Sequence, residues 1–282
     1  MVYTLANDRV LDWLVAFCES LRKHEPDAPL TVIPFDDRVS EVAALAGRYG
    51  FRLLDDPRLA GLDRVERSLW PERASVGALR KLAMFWGDAE RFMFLDSDIV
   101  VLGPLGRFPA LTAEHDLDLL VFDIGLHQAY EEDLAERMAE RYGARGFNTG
   151  ALAGRSGLLT PERLEQLADE ARPVSGGFID SMIEQSFINY CADVDGWRVG
   201  YVHDLMEVGH NWAAMPADRA PFLHWSGFRS GPFMPHPIVF LRHRLRGAGA
   251  AQRARYVLGW LARARARDAH IRLHWARRRP RG

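Results

Sequence analysis

The sequence predicts an α/β protein built on a mostly parallel sheet flanked by helices. Over the first hundred residues, short β-rich apolar runs alternate with segments whose apolar residues recur at helical spacing. Such alternation of strands with helices argues for a largely parallel sheet covered on both faces. A third observation is scale: 282 residues, 48% hydrophobic and 26% charged, suit one large domain, or one domain with an appendage. This composition excludes a disordered or fibrous chain.

Val2–Ala6 reads as the first strand, with Asn7 and Asp8 as N-caps of a helix carrying Leu11, Leu14, Val15, Cys18 and Leu21 on one side. Leu30–Phe35 is a second strand, Ser40–Tyr49 a helix stopped by Gly50, and Phe51–Leu54 a third strand. Residues 76–89 fit a helix with Leu79, Leu82, Ala83 and Trp86 on one side. The strand Phe92–Leu95 follows, is interrupted by Asp96-Ser97-Asp98, and resumes at Ile99–Leu102. Later strands are expected at Leu117–Phe122 and around Thr149–Ala153. Helices are expected from Thr160-Pro161-Glu162 and over Ser181–Tyr190. The segment after Gly200 is rich in aromatics, Gly and Pro and reads as irregular. From Pro237 onward, apolar and arginine residues mix at helical spacing. Ligands of such folds bind beyond the carboxyl ends of the strands.

No run reaches the roughly 18 apolar residues of a membrane span, and Met1–Val10 has no basic stretch followed by an apolar one, so a cytoplasmic location is expected. Cys18 and Cys191 are too few for a disulfide framework or a structural zinc site and read as packing residues. The formal charge of -2 hides an asymmetry. Residues 241–282 hold thirteen arginines and one acid, Asp268, which leaves 23 basic and 37 acidic side chains in residues 1–240.

Asp96 and Asp98 stand where the chain leaves a buried strand. Two carboxylates this close repel unless a cation or hydrogen-bond donors lie between them. A hard divalent ion is the natural partner, since Mg2+ or Mn2+ prefers oxygen ligands and bridges to substrate phosphates. The alternative is an Asx-type turn in which each Asp accepts backbone N–H groups.

Phe94-Leu95-Asp96-Ser97-Asp98-Ile99-Val100-Val101-Leu102 resembles the metal-binding Asp-x-Asp segment of GT-A fold glycosyltransferases. The likeness is to glycosyltransferase family 8, which includes glycogenin and the lipopolysaccharide galactosyltransferases. Other segments match in order. Tyr3–Asp8 is similar to the strand and turn that hold the nucleotide base, and Lys81 lies where the group carries a basic residue. Phe147-Asn148-Thr149-Gly150 resembles Phe-Asn-Ser/Ala-Gly, Glu184-Gln185 an Asp-Gln pair, and His224-Trp225-Ser226-Gly227 a His-aromatic-x-Gly motif.

The resemblance implies a GT-A, Rossmann-like fold and transfer of a hexose from a nucleoside-diphosphate sugar, UDP-sugar favoured, with retention of configuration. A divalent metal, Mn2+ or Mg2+, is expected on Asp96, Asp98 and His224; for His224 alone the alternative is a packed or capping imidazole. Lys81 would add positive charge beside the phosphates, against the alternative of a solvated helix face. Thr4, Leu5, Ala6 and Asn7 would read the base. Ser97, Asn148 and Thr149 complete the donor side, with Asp123 as a further sugar contact or else a loop acid with no role. Gly227 would let the ligand approach the backbone. Gln185 and Glu184 would sit beside the reacting carbon. Ser181–Glu184 is also a capping-box pattern that would fold Glu184 back on its helix, which makes Gln185 the preferred catalytic candidate.

The chain departs from the family in two places. Ser230-Gly231-Pro232 stands where the family has Lys-Pro-Trp, with Arg229 one place early as a substitute phosphate contact. Arg9-Val10 stands where an aromatic residue often stacks on uracil.

We expect a GT-A domain over residues 1–235 and an Arg-rich amphipathic helical extension over 236–282. The extension either lies on an anionic membrane surface, giving peripheral inner-membrane contact, or packs on the body with its arginines solvated, or pairs with the protein's own acidic body. Nucleic acid is not an expected partner. The expected acceptor is a glycan precursor assembled on the cytosolic side. Two other readings are a non-catalytic nucleotide-sugar-binding protein and a sugar-phosphate nucleotidylyltransferase. The second needs a Gly-rich phosphate loop after strand one, and Leu5-Ala6-Asn7-Asp8 has no glycine.

Overall fold

The computed structural model describes residues 1–73, 76–122, 125–205, 221–224, 241–242, 244–262 and 265. The first half opens with β1 (Val2–Ala6), a short 3-10 turn and α1 (Leu11–His24), followed by β2 (Leu30–Pro34). Next come α2 (Ser40–Ala44), α3 (Ala46–Tyr49), β3 (Phe51–Leu53) and α4 (Leu59–Leu69). A 3-10 helix (Ala78–Trp86) leads into β4 (Arg91–Leu95), β5 (Ile99–Val101) and α5 (Arg107–Glu114). The second half comprises β6 (Leu119–Val121), α6 (Leu126–Ala129), α7 (Glu132–Tyr142), β7 (Ala151–Arg155) and α8 (Pro161–Ala171). It ends with α9 (Ile183–Val194), β8 (Val199–Tyr201), α10 (Val202–Leu205) and β9 (Phe222–His224). A further helix covers residues 250–262.

Seven strands form one sheet in the order β3-β2-β1-β4-β7-β6-β8. Every neighbouring pair is parallel except those made by β7, which runs against both β4 and β6. Period-two alternation splits the strands between two apolar layers. Phe92, Phe94, Leu119, Val121 and Leu152 face α4, α8 and α9, whereas Met93, Leu95, Leu120, Ala151 and Ala153 face α1 and α5. The expected α/β sheet with helices on both faces is what the chain forms.

Several local readings need correction. Ser40–Tyr49 breaks at Leu45 into two short helices, although Gly50 does stop the second in the left-handed region (φ 61°). Residues 78–86 wind as a 3-10 helix because Glu66, buried under them, accepts the N–H groups of Gly77 and Leu79, both at 3.0 Å, and fixes the first turn. β5 does not resume β4. The acidic turn redirects the chain, and β5 pairs instead with β9 in a separate two-stranded ribbon. Among the described residues, α4, α5, α6, α7 and β8 stand where no element was expected, and α10 and β9 are regular elements in the segment after Gly200 that reads as irregular. Cys18 and Cys191 are free and buried, as packing residues should be. Among the described residues no helix is long and apolar enough to cross a membrane.

Candidate functional site

Three pieces of chain meet beyond the carboxyl end of β4. Asp96 follows β4 directly, and its N–H donates to the Gly150 carbonyl at 2.7 Å, which ties the start of the acidic turn to the start of β7. Asp98 precedes β5. His224 is the last residue of β9 and the register partner of Ile99, so the ribbon carries the imidazole back to the two acids.

Asp96 Oδ2 lies 3.7 Å from His224 Nε2, and Asp98 Oδ1 lies 3.3 Å from the same nitrogen. One ligand atom from each of the three residues fits within 4.8 Å of the others. Asp98 Oδ1 is buried and receives no hydrogen bond. No backbone N–H among the described residues donates to either carboxylate, so the Asx-turn alternative does not describe this segment. Two carboxylates and an imidazole around an orphaned oxygen are a donor set suited to Mn2+ or Mg2+.

Gly150 makes the approach of His224 possible. A Cβ there would stand 2.1 Å from His224 Cε1 and 2.8 Å from Asp96 Oδ2. The Phe-Asn-Thr-Gly segment therefore ends in glycine for a steric reason.

Lys81 is 2% exposed and so is not on a solvated helix face. Its Nζ lies 3.1 Å from Asp96 Oδ1 and 3.8 Å from Glu184 Oε1, and 4.9 Å from the centroid of the Phe94 ring. Burial opposes the charge, but Asp96, Glu184 and Asp98 outweigh it and hold the lysine pKa above its ordinary value. Burial pushes Asp96 above the usual carboxylate range against the pull of Lys81, and the charge of Asp98 adds to the rise. His224 is likewise buried, and the two aspartates raise its pKa in spite of that.

The amino end of α9 clamps the 147–149 segment. Gln185 Oε1 accepts the Thr149 N–H at 3.1 Å, while its Nε2 donates to the Gln128 carbonyl at 2.9 Å. One turn later Asn189 accepts the Phe147 N–H and donates to the carbonyls of Phe147 and Gln185. Gln185 is 3% exposed and committed at both ends of its amide. Glu184 does not cap its helix. The N-cap is Met182, with no side-chain capping bond, and the Glu184 carboxylate reaches toward Lys81.

Beside the acidic turn, an open cavity of about 300 Å³ is lined by Leu5, Ala6, Asn7, Arg9, Phe35 and Ser97, among others. Four residues proposed from sequence thus share one wall. Asn7 spends much of its amide inside the protein, accepting the Arg9 N–H and donating to Asp36. Thr4 is fully buried, with no partner for its hydroxyl, and does not line the cavity. Phe35, just past β2, also lines this cavity. Thr149 lies under Lys81, with its carbonyl 3.4 Å from Nζ, and the Asn148 amide oxygen accepts the Gly150 N–H at 2.8 Å. Asp123, Gly227 and Arg229 fall outside the described residues.

Sequence reading missed Phe35, Glu66, Gln128 and Asn189. For Glu66 a signal existed, since Leu59, Leu62, Val65 and Leu69 recur at helical spacing around it.

No protein-family profile and no curated protein matches this chain. Solved structures do. The galactosyltransferase LgtC, solved in complex with donor and acceptor sugar analogs, matches over 88% of this chain and 96% of its own, with a TM-score of 0.59 and 15% identity. The glycosyltransferase GlyE of Streptococcus pneumoniae matches over 93% of this chain and 63% of its own, with a TM-score of 0.57 and 14% identity. The bifunctional glycosyltransferase WbbM matches over 90% and 50%, with a TM-score of 0.53 and 12% identity. At such identities the likeness concerns architecture, and the chain has the GT-A fold, a mostly parallel Rossmann-like sheet flanked by helices with a C-terminal helix after it.

Proposed function

We propose that this chain is a metal-dependent glycosyltransferase that moves a hexose from a nucleoside-diphosphate sugar, UDP-sugar favoured, with retention of configuration. The proposed acceptor is a glycan precursor of the cell envelope. One observation carries the proposal: Asp96, Asp98 and His224 converge, with an orphaned oxygen, beside a cavity at the end of β1. LgtC, with the same fold, was solved with donor and acceptor sugar analogs and supports the same reading.

The reaction breaks the bond between the anomeric carbon and the diphosphate oxygen, so negative charge grows on the leaving group. Asp96, Asp98 and His224 would hold a divalent ion, which when bound would supply Lewis-acid stabilisation of that charge. Lys81, held cationic by its carboxylates, adds a fixed positive charge on the same side. The cavity takes the base, with Phe35 as its aromatic surface. Glu184, whose carboxylate lies 3.8 Å from Lys81 Nζ, is assigned the place beside the charge developing on the sugar. The bonding pattern supports Gln185 as the scaffold that sets the 147–150 segment in place. Arg253, Arg255 and Leu258 lie on the exposed side of the helix over 250–262, a pattern that suits peripheral contact with an anionic membrane.

Thermal unfolding against a panel of nucleoside diphosphates and sugar nucleotides, with Mn2+ or with chelator, tests the binding half. A midpoint rise that needs metal and vanishes in Asp98→Asn is expected, and no rise with any donor would sink the proposal. Metal-stimulated hydrolysis of the stabilising sugar nucleotide then separates a transferase from a binding protein.

A further inference from the structure

We infer that the C-terminal helix is a positioning element of the metal site and that Trp260 is the residue through which it acts. The inference rests on the reading of Asp96, Asp98 and His224 as metal ligands.

The ribbon that carries His224 has three residues per strand and stands outside the seven-stranded sheet. A two-stranded ribbon of this size does not hold its shape alone and needs packing on both faces. One face is supplied by the body. Ile99, Val101 and Phe222 belong to the apolar layer shared with α1 and α5, and the Val101 N–H donates to the Ser20 hydroxyl at 2.9 Å. The alternate residues, Val100 and Leu223, are register partners and point to the other face. There they form a separate apolar cluster with Ala16 of α1 and Trp260 of the C-terminal helix, flanked by Trp13, Leu102, Tyr256 and Leu261.

Trp260 is 8% exposed, whereas Leu258, two residues away on the same helix, is 69% exposed. The helix is also latched by polar contacts. Arg244, just before it, donates to Asp12 of α1 at 2.9 Å, and its guanidinium carbon sits 4.7 Å from the centroid of the Tyr256 ring. The ribbon is therefore held between the body and a segment that the sequence presents as an appendage. His224 follows Leu223 directly, so its ring is aimed by a strand whose outer support is Trp260. A metal site needs ligand distances within about 0.2 Å of their ordinary values, so a ribbon that loses its outer support presents His224 less well.

The test is a titration of purified full-length protein with Mn2+ alone, following the electron paramagnetic resonance signal of the free ion. Trp260→Ala is expected to weaken Mn2+ binding by about tenfold or more. Trp260→Phe should restore it to within about threefold, and Leu258→Ser should bind as the wild type. Leu164→Ala, which opens a hole in the opposite apolar layer, lowers the thermal midpoint without changing Mn2+ affinity. Unchanged affinity in Trp260→Ala overturns the inference, as does an equal loss in Leu164→Ala, which would make the effect one of general stability. Absence of Mn2+ binding by the wild type would overturn the metal reading itself, and this inference with it.

Discussion

Asp96 divides its two oxygens between two tasks, one facing Lys81 and the other facing the space it shares with Asp98 and His224. Gly150 limits that space more sharply than any charged group, because its missing side chain is what the His224 ring occupies. Gly150→Ala is expected to displace the imidazole and to lower Mn2+ affinity at least tenfold, as metal titration would show. Far-UV circular dichroism should stay unchanged, since the residue precedes β7 and bears no helix or strand.

A second residue-scale prediction concerns Asp193 on α9, whose Oδ2 accepts the Tyr130 hydroxyl at 2.6 Å. Burial raises its pKa to about 6, only partly countered by that hydrogen bond. A carboxyl with a folded-state value above its unfolded one favours folding below about pH 4 and loses that contribution as pH rises through about 6. Asp193→Asn should therefore raise stability at pH 7.5, by about 1–2 kcal/mol, and leave it nearly unchanged at pH 4. Equal gains at both pH values in denaturant melts would refute the assignment.

At the scale of elements, α9 does more than cover the sheet. Its Gln185 and Asn189, one turn apart, hold the backbone of residues 147–149 and so set the height of Gly150 against Asp96 and His224. Asn189→Ala would strand the buried Phe147 N–H and carbonyl, at a cost of about 1–3 kcal/mol. Chemical denaturation would measure that loss, and a cost below about 0.5 kcal/mol would mean that water replaces the amide.

What the sequence made readable at this scale was what is local. The strand Val2–Ala6, the Thr160 cap, whose hydroxyl accepts the Arg163 N–H, and the acid pair all announce themselves within a few residues. What it concealed depended on distant partners. Lys81 reads equally as a site cation or as a solvated lysine, because the three carboxylates that decide between them lie at positions 96, 98 and 184. The 3-10 winding at 78–86 answers to Glu66, and the capping-box reading of Glu184 failed because a buried ammonium was the better partner. The reversed direction of β7 and the pairing of β5 with β9 leave no local trace at all, since apolar alternation is the same whichever way a strand runs.

At the scale of the molecule, charge is divided along the sequence. Acidic groups dominate residues 1–240 and basic ones residues 241–282. The two meet where Arg244 engages Asp12 near the amino end of α1, one turn from Arg9 in the wall of the cavity. The seven-stranded sheet sets the places of β1 and β4, and the short ribbon and the C-terminal helix close over one side of their carboxyl ends.

The pairing of Ile99 with His224 also says something about time. The ribbon closes a loop of more than a hundred residues, among the most expensive contacts in the chain to form by diffusion. During synthesis His224 emerges after both aspartates and after every strand of the seven-stranded sheet. The sheet can thus be assembled while the site is still two carboxylates and no imidazole. An ion bound by all three residues would act as a clasp on a sheet already assembled. In refolding experiments Mn2+ should leave the early, sheet-forming phase unaltered and slow the reverse of the last one, so that chelator accelerates only the first step of unfolding, the release of the ribbon.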